Sequence, residues 1–317
     1  MKNTNPLERA ITTSYRIPLW HKFVKTIKTY DLLKEGDKVC CCISGGKDSM
    51  LMALLFKHLH KYSDFPFEVG YIVMDPGYRP EILEQIKGNL RILGIPAHII
   101  KTDIFYIAGL QDKSPCYLCA KMRRGALYRI AKERGYNKIA LGHHYDDVIE
   151  TTLMNMLNAG SFQTMLPKLP SSNYEGMEII RPMYLVREAA VKEFASEYDL
   201  SFIRCACPFT AKVESGEMES KRKQTKELIA WLKDNYSDRV EKNIFASASN
   251  VELDKIIGYK RSGELHGFLD DYEEEKRLSD ERIISSGVEK AAIEKAVNEH
   301  MSFVIDDSLY KELKDEG

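Results

Sequence analysis

The apolar positions fall into short continuous runs separated by longer stretches of helical spacing. The run Val39-Cys40-Cys41-Cys42-Ile43 predicts a strand over 38–43, and the segment from Met50 to Phe56 lies in a helix predicted over 48–62. A second strand, Phe67 to Asp75, leads into a helix at about 79–93, and a third, Ala97 to Lys101, follows the turn Gly94-Ile95-Pro96. A helix over 116–135 precedes a strand from Lys138 to Gly142, and a further helix runs from about 145 to 158. Residues 159–180 read as a loop, punctuated by Gly160, Pro167, Pro170, Ser171-Ser172-Asn173 and Gly176. A strand at Glu178–Arg181, a helix at Glu188–Tyr198 and a long helix over 217–236 complete the pattern. Ahead of it all, residues 1–35 form a helical lead-in with Trp20, Phe23, Val24, Ile27, Tyr30, Leu32 and Leu33 at helix-like spacing.

Strands alternating with helices predict an α/β fold class, a doubly wound parallel sheet covered on both faces. Ligands bind such sheets beyond the carboxyl ends of the strands, so Ser44, Asp75 and Gly142-His143 are expected around one crevice. At 317 residues the chain allows one large domain with additions. The expected division is a helical segment 1–35, an α/β domain 36–215 that carries the candidate site, a helical part 216–257 and an acidic extension 258–317 that includes Asp270 to Glu275. A net charge of −1 means that nucleic acid would have to be held by local basic patches. Candidates are Lys121, Arg123, Arg124, Arg129, Lys132 and Arg134 on one helix, Lys221-Arg222-Lys223 with Lys226 on another, and Lys22, Lys25 and Lys28 near the N-terminus. No apolar run is long enough to span a bilayer and the segment Met1–Arg16 is polar, so no membrane partner and a cytoplasmic location are expected.

Ser44-Gly45-Gly46-Lys47-Asp48-Ser49 sits between a predicted strand and a predicted helix. Two glycines allow a sharp turn that aims amide N–H groups at one point, and the following helix adds the positive end of its dipole. Such a nest holds phosphate, with Lys47 in reach of the same oxygens. It is not a Walker A loop, because Cys41 stands where that motif needs glycine and Asp48 follows the lysine. Gly142-His143-His144-Tyr145-Asp146-Asp147 again follows a strand and opens a helix. Its carboxylates suit Mg²⁺ binding or proton transfer, or simple capping of the helix.

The Ser-Gly-Gly-Lys-Asp-Ser loop resembles the pyrophosphate loop of ATP pyrophosphatases, in the adenine nucleotide alpha hydrolase superfamily. Together with Cys116-Tyr117-Leu118-Cys119, Arg123-Arg124-Gly125, Met165-Leu166-Pro167 and Ile180-Arg181-Pro182, it resembles the tRNA 2-thiolation enzymes of the TtcA/TtuA type over residues 20 to 257. The resemblance implies ATP at Ser44, Gly45, Gly46, Lys47, Asp48 and Ser49, with Met74, Gly142 and His143 around the adenosine. It implies that Asp48 and Asp146 position Mg²⁺ or move protons, that Arg123 orients RNA or sulfur, and that the base is activated by adenylation before sulfur replaces its oxygen. tRNA is the implied partner, with a cysteine desulfurase or sulfide as sulfur donor, and a homodimer is left open. A lysidine synthetase-like modifier shares the loop but needs no cysteines, and a non-catalytic nucleotide- or zinc-binding protein is a rival of another class.

Cys116 and Cys119 open a helix, whose N-terminus favours thiolates, and Cys205-x-Cys207-Pro208 follows downstream. A four-cysteine zinc site, a redox pair and a three-cysteine cluster all draw on these residues. The resemblance implies the last, a [4Fe–4S] cluster on Cys116, Cys119 and Cys207 with one open iron, with Cys205 as an extra thiol that could take the place of Cys207 or stay free. Cys40, Cys41 and Cys42 alternate along a strand and read as small buried apolar residues.

Overall fold

The computed structural model describes residues 5–110, 115–203, 221–270 and 272–285. Residues 1–249 form one compact unit and the remainder a second, a division that falls ahead of the acidic shift at Gly258.

The lead-in is helical. Helix α1 (Pro6–Thr12) has a proline at its first position and Asn5 as cap, the Asn5 Oδ1 accepting the Leu7 amide at 2.9 Å. Pro18 lacks an amide hydrogen, and the turn Arg16–His21 around it widens to a π-helix, with the Trp20 amide reaching back to Tyr15 O. Helix α2 (Lys22–Thr29) follows.

The alternation is as predicted apart from the short α5, which the apolar pattern does not give: β1 (Lys38–Ile43), α3 (Lys47–Tyr62), β2 (Glu68–Asp75), α4 (Pro80–Leu93), β3 (Ala97–Lys101), α5 (Ile104–Gly109), α6 (Pro115–Glu133), β4 (Lys138–Ala140) and α7 (Tyr145–Ala159). Then come β5 (Lys168–Pro170), β6 (Glu178–Ile180), α8 (Glu188–Glu197), α9 (Lys221–Asn235) and α10 (Val240–Ser247). The sheet order is β3-β2-β1-β4-β6-β5, parallel except for the edge pair β5–β6. Strand β5 lies inside the stretch expected to be loop. From β1 the chain builds outward to β2 and β3, then returns to place β4 on the other side. The order therefore reverses between β1 and β4, and a crevice opens there at the carboxyl ends.

Strand β1 is buried on both faces. Val39, Cys41 and Ile43 join one apolar cluster with α3, Phe23 and Phe194, while Cys40 and Cys42 join the other with Ile72, Ala131 and Ile139. The three cysteines are thus core residues, and Cys41 points away from the other two, whose sulfurs are 3.9 Å apart. Burying each large apolar side chain contributes about 1.5–3 kcal/mol, so this two-sided core holds the ends of β1 and β4 in place.

In the second unit, β7 (Gly258–Arg261) and β8 (Glu264–Gly267) pair antiparallel around Ser262-Gly263, both at positive φ, before helix α11 (Tyr272–Ser285). Among the described residues no helix is long and apolar enough to cross a membrane.

Candidate functional site

The turn from β1 into α3 is built around Gly45, whose φ is +88° and whose absent Cβ would meet Ile203 Cδ1 and Ile86 Cγ1 at 2.9 Å. Only glycine fits. Gly46 caps α3 without a side-chain hydrogen bond, which leaves first-turn amides for a ligand. Ser49 closes the loop on itself: its Oγ accepts the Ser44 amide at 3.1 Å, donates to Gly46 O at 3.0 Å and lies 3.0 Å from Ser44 Oγ.

Lys47 Nζ sits 3.0 Å from Asp48 Oδ2 and 2.9 Å from Glu188 Oε1. Burial works against the ammonium, but these two carboxylates hold Lys47 above the usual lysine range. Burial also works against the Glu188 carboxylate, yet hydrogen bonds from Lys47 and Lys192 bring it down to about 2.

At the end of β4, Gly142 packs directly on the first turn of α3. His144 then caps α7 in a reciprocal box: its Nδ1 accepts the Asp147 amide at 3.4 Å, and Asp147 Oδ2 accepts the His144 amide at 3.0 Å. Its Nε2 faces Asp48 Oδ1 at 3.6 Å, and its Nδ1 lies 3.4 Å from Asp147 Oδ2 and 3.7 Å from Asp146 Oδ2. Asp48 Oδ1 is buried and has no hydrogen-bond partner among the described residues. A lone carboxylate oxygen beside a phosphate-type loop is a donor that a hard cation such as Mg²⁺ takes, so the residues present fit that ion.

The two acids of α7 part company. Asp146 accepts the Glu188 amide at 2.7 Å and pairs with Arg187 at 3.0 Å, and it does not line the cavity. Asp147 does line it, paired with Arg222 of α9 at 2.6 Å. Burial pushes Asp147 up, but the His144 imidazole and amide and the Arg222 charge outweigh that and keep it ionised below its ordinary value. His143 also lines the cavity. Burial pulls it down to about 4, so it is neutral near pH 7, and its Nδ1 is buried without a partner among the described residues.

These groups surround a cavity of about 510 Å³ at the switch point, a volume suited to a nucleotide-sized ligand. Met74, Ile139 and Leu141 form its apolar side, and Arg123 and Arg124 of α6 close another. Tyr78 donates to Ser44 O at 3.3 Å and interacts with Arg123, which ties α6 to the loop. Cys119 is buried on α6, one turn before Arg123. Cys116 belongs to the same helix, but its side chain, like Cys205 and Cys207, lies outside the described residues. The described residues flanking Cys207 reach the site: the Ile203 amide donates to Gly45 O at 3.3 Å, and Arg222 holds Asp147. The expected loop residues, Met74, Gly142, His143 and Arg123 are therefore gathered at one crevice. Asp147 and Arg222, which the sequence offers only as a helix-start acid and as part of a basic run, line it too, and Glu188, which carries no local sequence signal, reaches Lys47.

A model of the PP-loop domain matches residues 19–207, from the lead-in through the loop and the C-x-x-C to Cys207. The tRNA-cytidine(32) 2-sulfurtransferase of Citrifermentans bemidjiense is 36% identical over 247 residues, covering 75% of this chain and 93% of that protein. The chain belongs to this PP-loop 2-sulfurtransferase family. The enzymes of the same name from Acaryochloris marina (34% identical, 73% of this chain and 80% of that one) and Shewanella halifaxensis (37%, 72% and 71%) agree. The U34-tRNA thiolase NcsA from Methanococcus maripaludis, solved with its [4Fe–4S] cluster, shares the fold with a TM-score of 0.57 at 23% identity, over 73% of this chain and 79% of NcsA. As a member of the 2-sulfurtransferase family the chain is an enzyme, and the matched PP-loop region includes the segment Ser44–Ser49, of which Ser44, Asp48 and Ser49 line the cavity.

Proposed function

We propose that this enzyme thiolates a tRNA cytidine at C2 at the expense of ATP. The observation that carries the reading is that the PP-loop and the helix bearing Cys119, Arg123 and Arg124 wall one cavity, so a nucleotide on the loop and a base brought in along α6 would meet. The names of the relatives support cytidine as the base.

Ser44–Ser49 binds the phosphates of ATP, with Met74, Gly142 and His143 beside the adenosine. The C2 oxygen of the base attacks the α-phosphorus; the new P–O bond forms as the bond to pyrophosphate breaks, and pyrophosphate carries away the electron pair. Lys47 and the first-turn amides of α3 stabilise the charge that develops on the phosphates. Asp48 presents Oδ1 to Mg²⁺. Sulfur at the oxidation level of sulfide then adds at C2, the C2–O bond breaks, and AMP leaves with the former base oxygen. Arg123 orients the base or the incoming sulfur. Asp146, through Arg187 and the Glu188 amide, holds the start of α8 against Lys47.

Cys116, Cys119 and Cys207 would hold a [4Fe–4S] cluster, a donor set of three thiols that suits such a group, with Cys119 buried on the cavity-wall helix. Bound there, the cluster would supply an open iron for the sulfur to be transferred, which comes from free sulfide directly, or from the persulfide of a cysteine desulfurase once a thiol reductant has supplied two electrons and released it as sulfide. Exposed Lys121, Arg124, Arg129 and Lys132 on α6, with Arg134 just after its end, offer contacts for RNA phosphates.

The test is tRNA-dependent release of AMP and pyrophosphate by anaerobically purified protein given ATP, sulfide and tRNA. Release that needs cytidine-containing tRNA and disappears in Lys47→Met supports the reading. ATP bound but never cleaved in the presence of tRNA overturns it.

A further inference from the structure

Three lysines converge on one carboxylate beside the PP-loop. Glu188 Oε1 is 2.9 Å from Lys47 Nζ, and Glu188 Oε2 is 3.0 Å from Lys192 and 3.6 Å from Lys226. These lysines come from α3, α8 and α9, three separate elements, and Lys226 also reaches buried Glu150 at 3.4 Å. Glu188 sits at the first turn of α8, where its own amide is held by Asp146. Three ammonium groups converging on anionic oxygens is the arrangement a basic pocket offers a phosphate. Here a protein carboxylate takes that part.

We propose that Glu188 is a built-in counter-anion of the loop: together with Asp48 it holds Lys47 in place before nucleotide enters, and it weakens the grip of Lys47 on the pyrophosphate end so that product leaves. This rests on the reading of Ser44–Ser49 as the phosphate site. Glu188 touches neither base nor sulfur and is a positioning residue. When phosphate oxygens arrive, Lys47 exchanges Glu188 Oε1 for them, while Lys192 and Lys226 keep Oε2 and so keep α8 and α9 against the loop. Removing the carboxylate charge leaves the lysines under-compensated next to the incoming anion. Affinity for a polyanion then rises, the opposite of what a lost structural contact does.

The experiment is titration calorimetry of inorganic pyrophosphate alone onto the full chain and four variants. Glu188→Gln should bind pyrophosphate about five- to tenfold more tightly, the effect of one unit charge at a mostly buried site. Glu188→Asp, which keeps the charge, should stay close to the unchanged protein. Lys226→Met should bind about threefold more weakly, and Lys47→Met at least tenfold more weakly. Weaker or unchanged binding in Glu188→Gln, with Lys47→Met impaired, overturns the counter-anion. Unchanged binding in Lys47→Met overturns the phosphate-site reading beneath it.

Discussion

A Cβ placed on Gly142 would lie 3.0 Å from the Ser49 amide nitrogen and 3.1 Å from the Ser49 Cα. The end of β4 thus rests on the backbone of α3 with no room for a side chain, and the two glycine-bearing segments of the sequence are a single surface. Gly142 is needed for space, not for an unusual φ.

Gly142→Ala tests that contact. Backbone atoms cannot yield as a flexible side chain would, so about 1–3 kcal/mol of stability should be lost. Because the displaced atoms belong to the phosphate loop, ATP affinity should fall at least tenfold. Thermal melts and ATP titration check both, and an unchanged ATP affinity would separate β4 from the loop.

Ser49→Ala removes the hydroxyl that joins Ser44 to Gly46. About 1–2 kcal/mol of stability should go with it. The larger effect should be on ATP binding, because the Ser44 amide loses its partner and the turn its shape. Ser49→Thr keeps the hydroxyl and should retain most of the affinity.

His143 gives the fold a pH dependence of known sign. Its ordinary value is 6.5, and burial brings it to about 4 in the folded chain. Below 6.5 the unfolded chain binds a proton that the folded one refuses, so stability is complete above pH 6.5 and falls between about 6.5 and 4. The loss amounts to about 2–3 kcal/mol. Denaturant titrations of His143→Gln should show that much less decline across this window. An identical decline in the variant would assign the effect elsewhere.

The architecture was legible from the apolar runs because a sheet buried on both faces leaves near-continuous apolar strands, as at 39–43 and 71–74. Strand β5 was not legible. It is three residues long, ends on Pro170 and exists by pairing with β6. The same holds for α5, six residues after Asp103. At the site, the PP-loop carried its own geometry in its residue types, but the choice between Asp146 and Asp147 did not. Adjacent carboxylates at a helix start look alike until Arg187 and Glu188 claim one and Arg222, 75 residues away, claims the other. Long-range ion pairs leave no trace in local spacing.

Asp146→Asn and Asp147→Asn should therefore differ. The first loosens Arg187 and the start of α8 and should act mainly on stability, lowering it by about 1–2 kcal/mol. The second alters a carboxylate that lines the cavity and frees Arg222 towards it, and should act mainly on kcat. Equal effects of the two on stability and kcat would contradict the division of labour.

Cys119→Ala tests the thiol set. Protein purified without oxygen should carry about four irons and four acid-labile sulfides per chain, and the variant should lose them while still binding ATP. Zinc in place of iron would contradict the cluster.

The most direct measurement is nucleoside mass spectrometry of tRNA after reaction with anaerobically purified protein, ATP and sulfide. The account predicts 2-thiocytidine, formed only with ATP and absent from reactions with Lys47→Met or Cys119→Ala. Unmodified cytidine under conditions where the protein carries its cluster and binds ATP would contradict it.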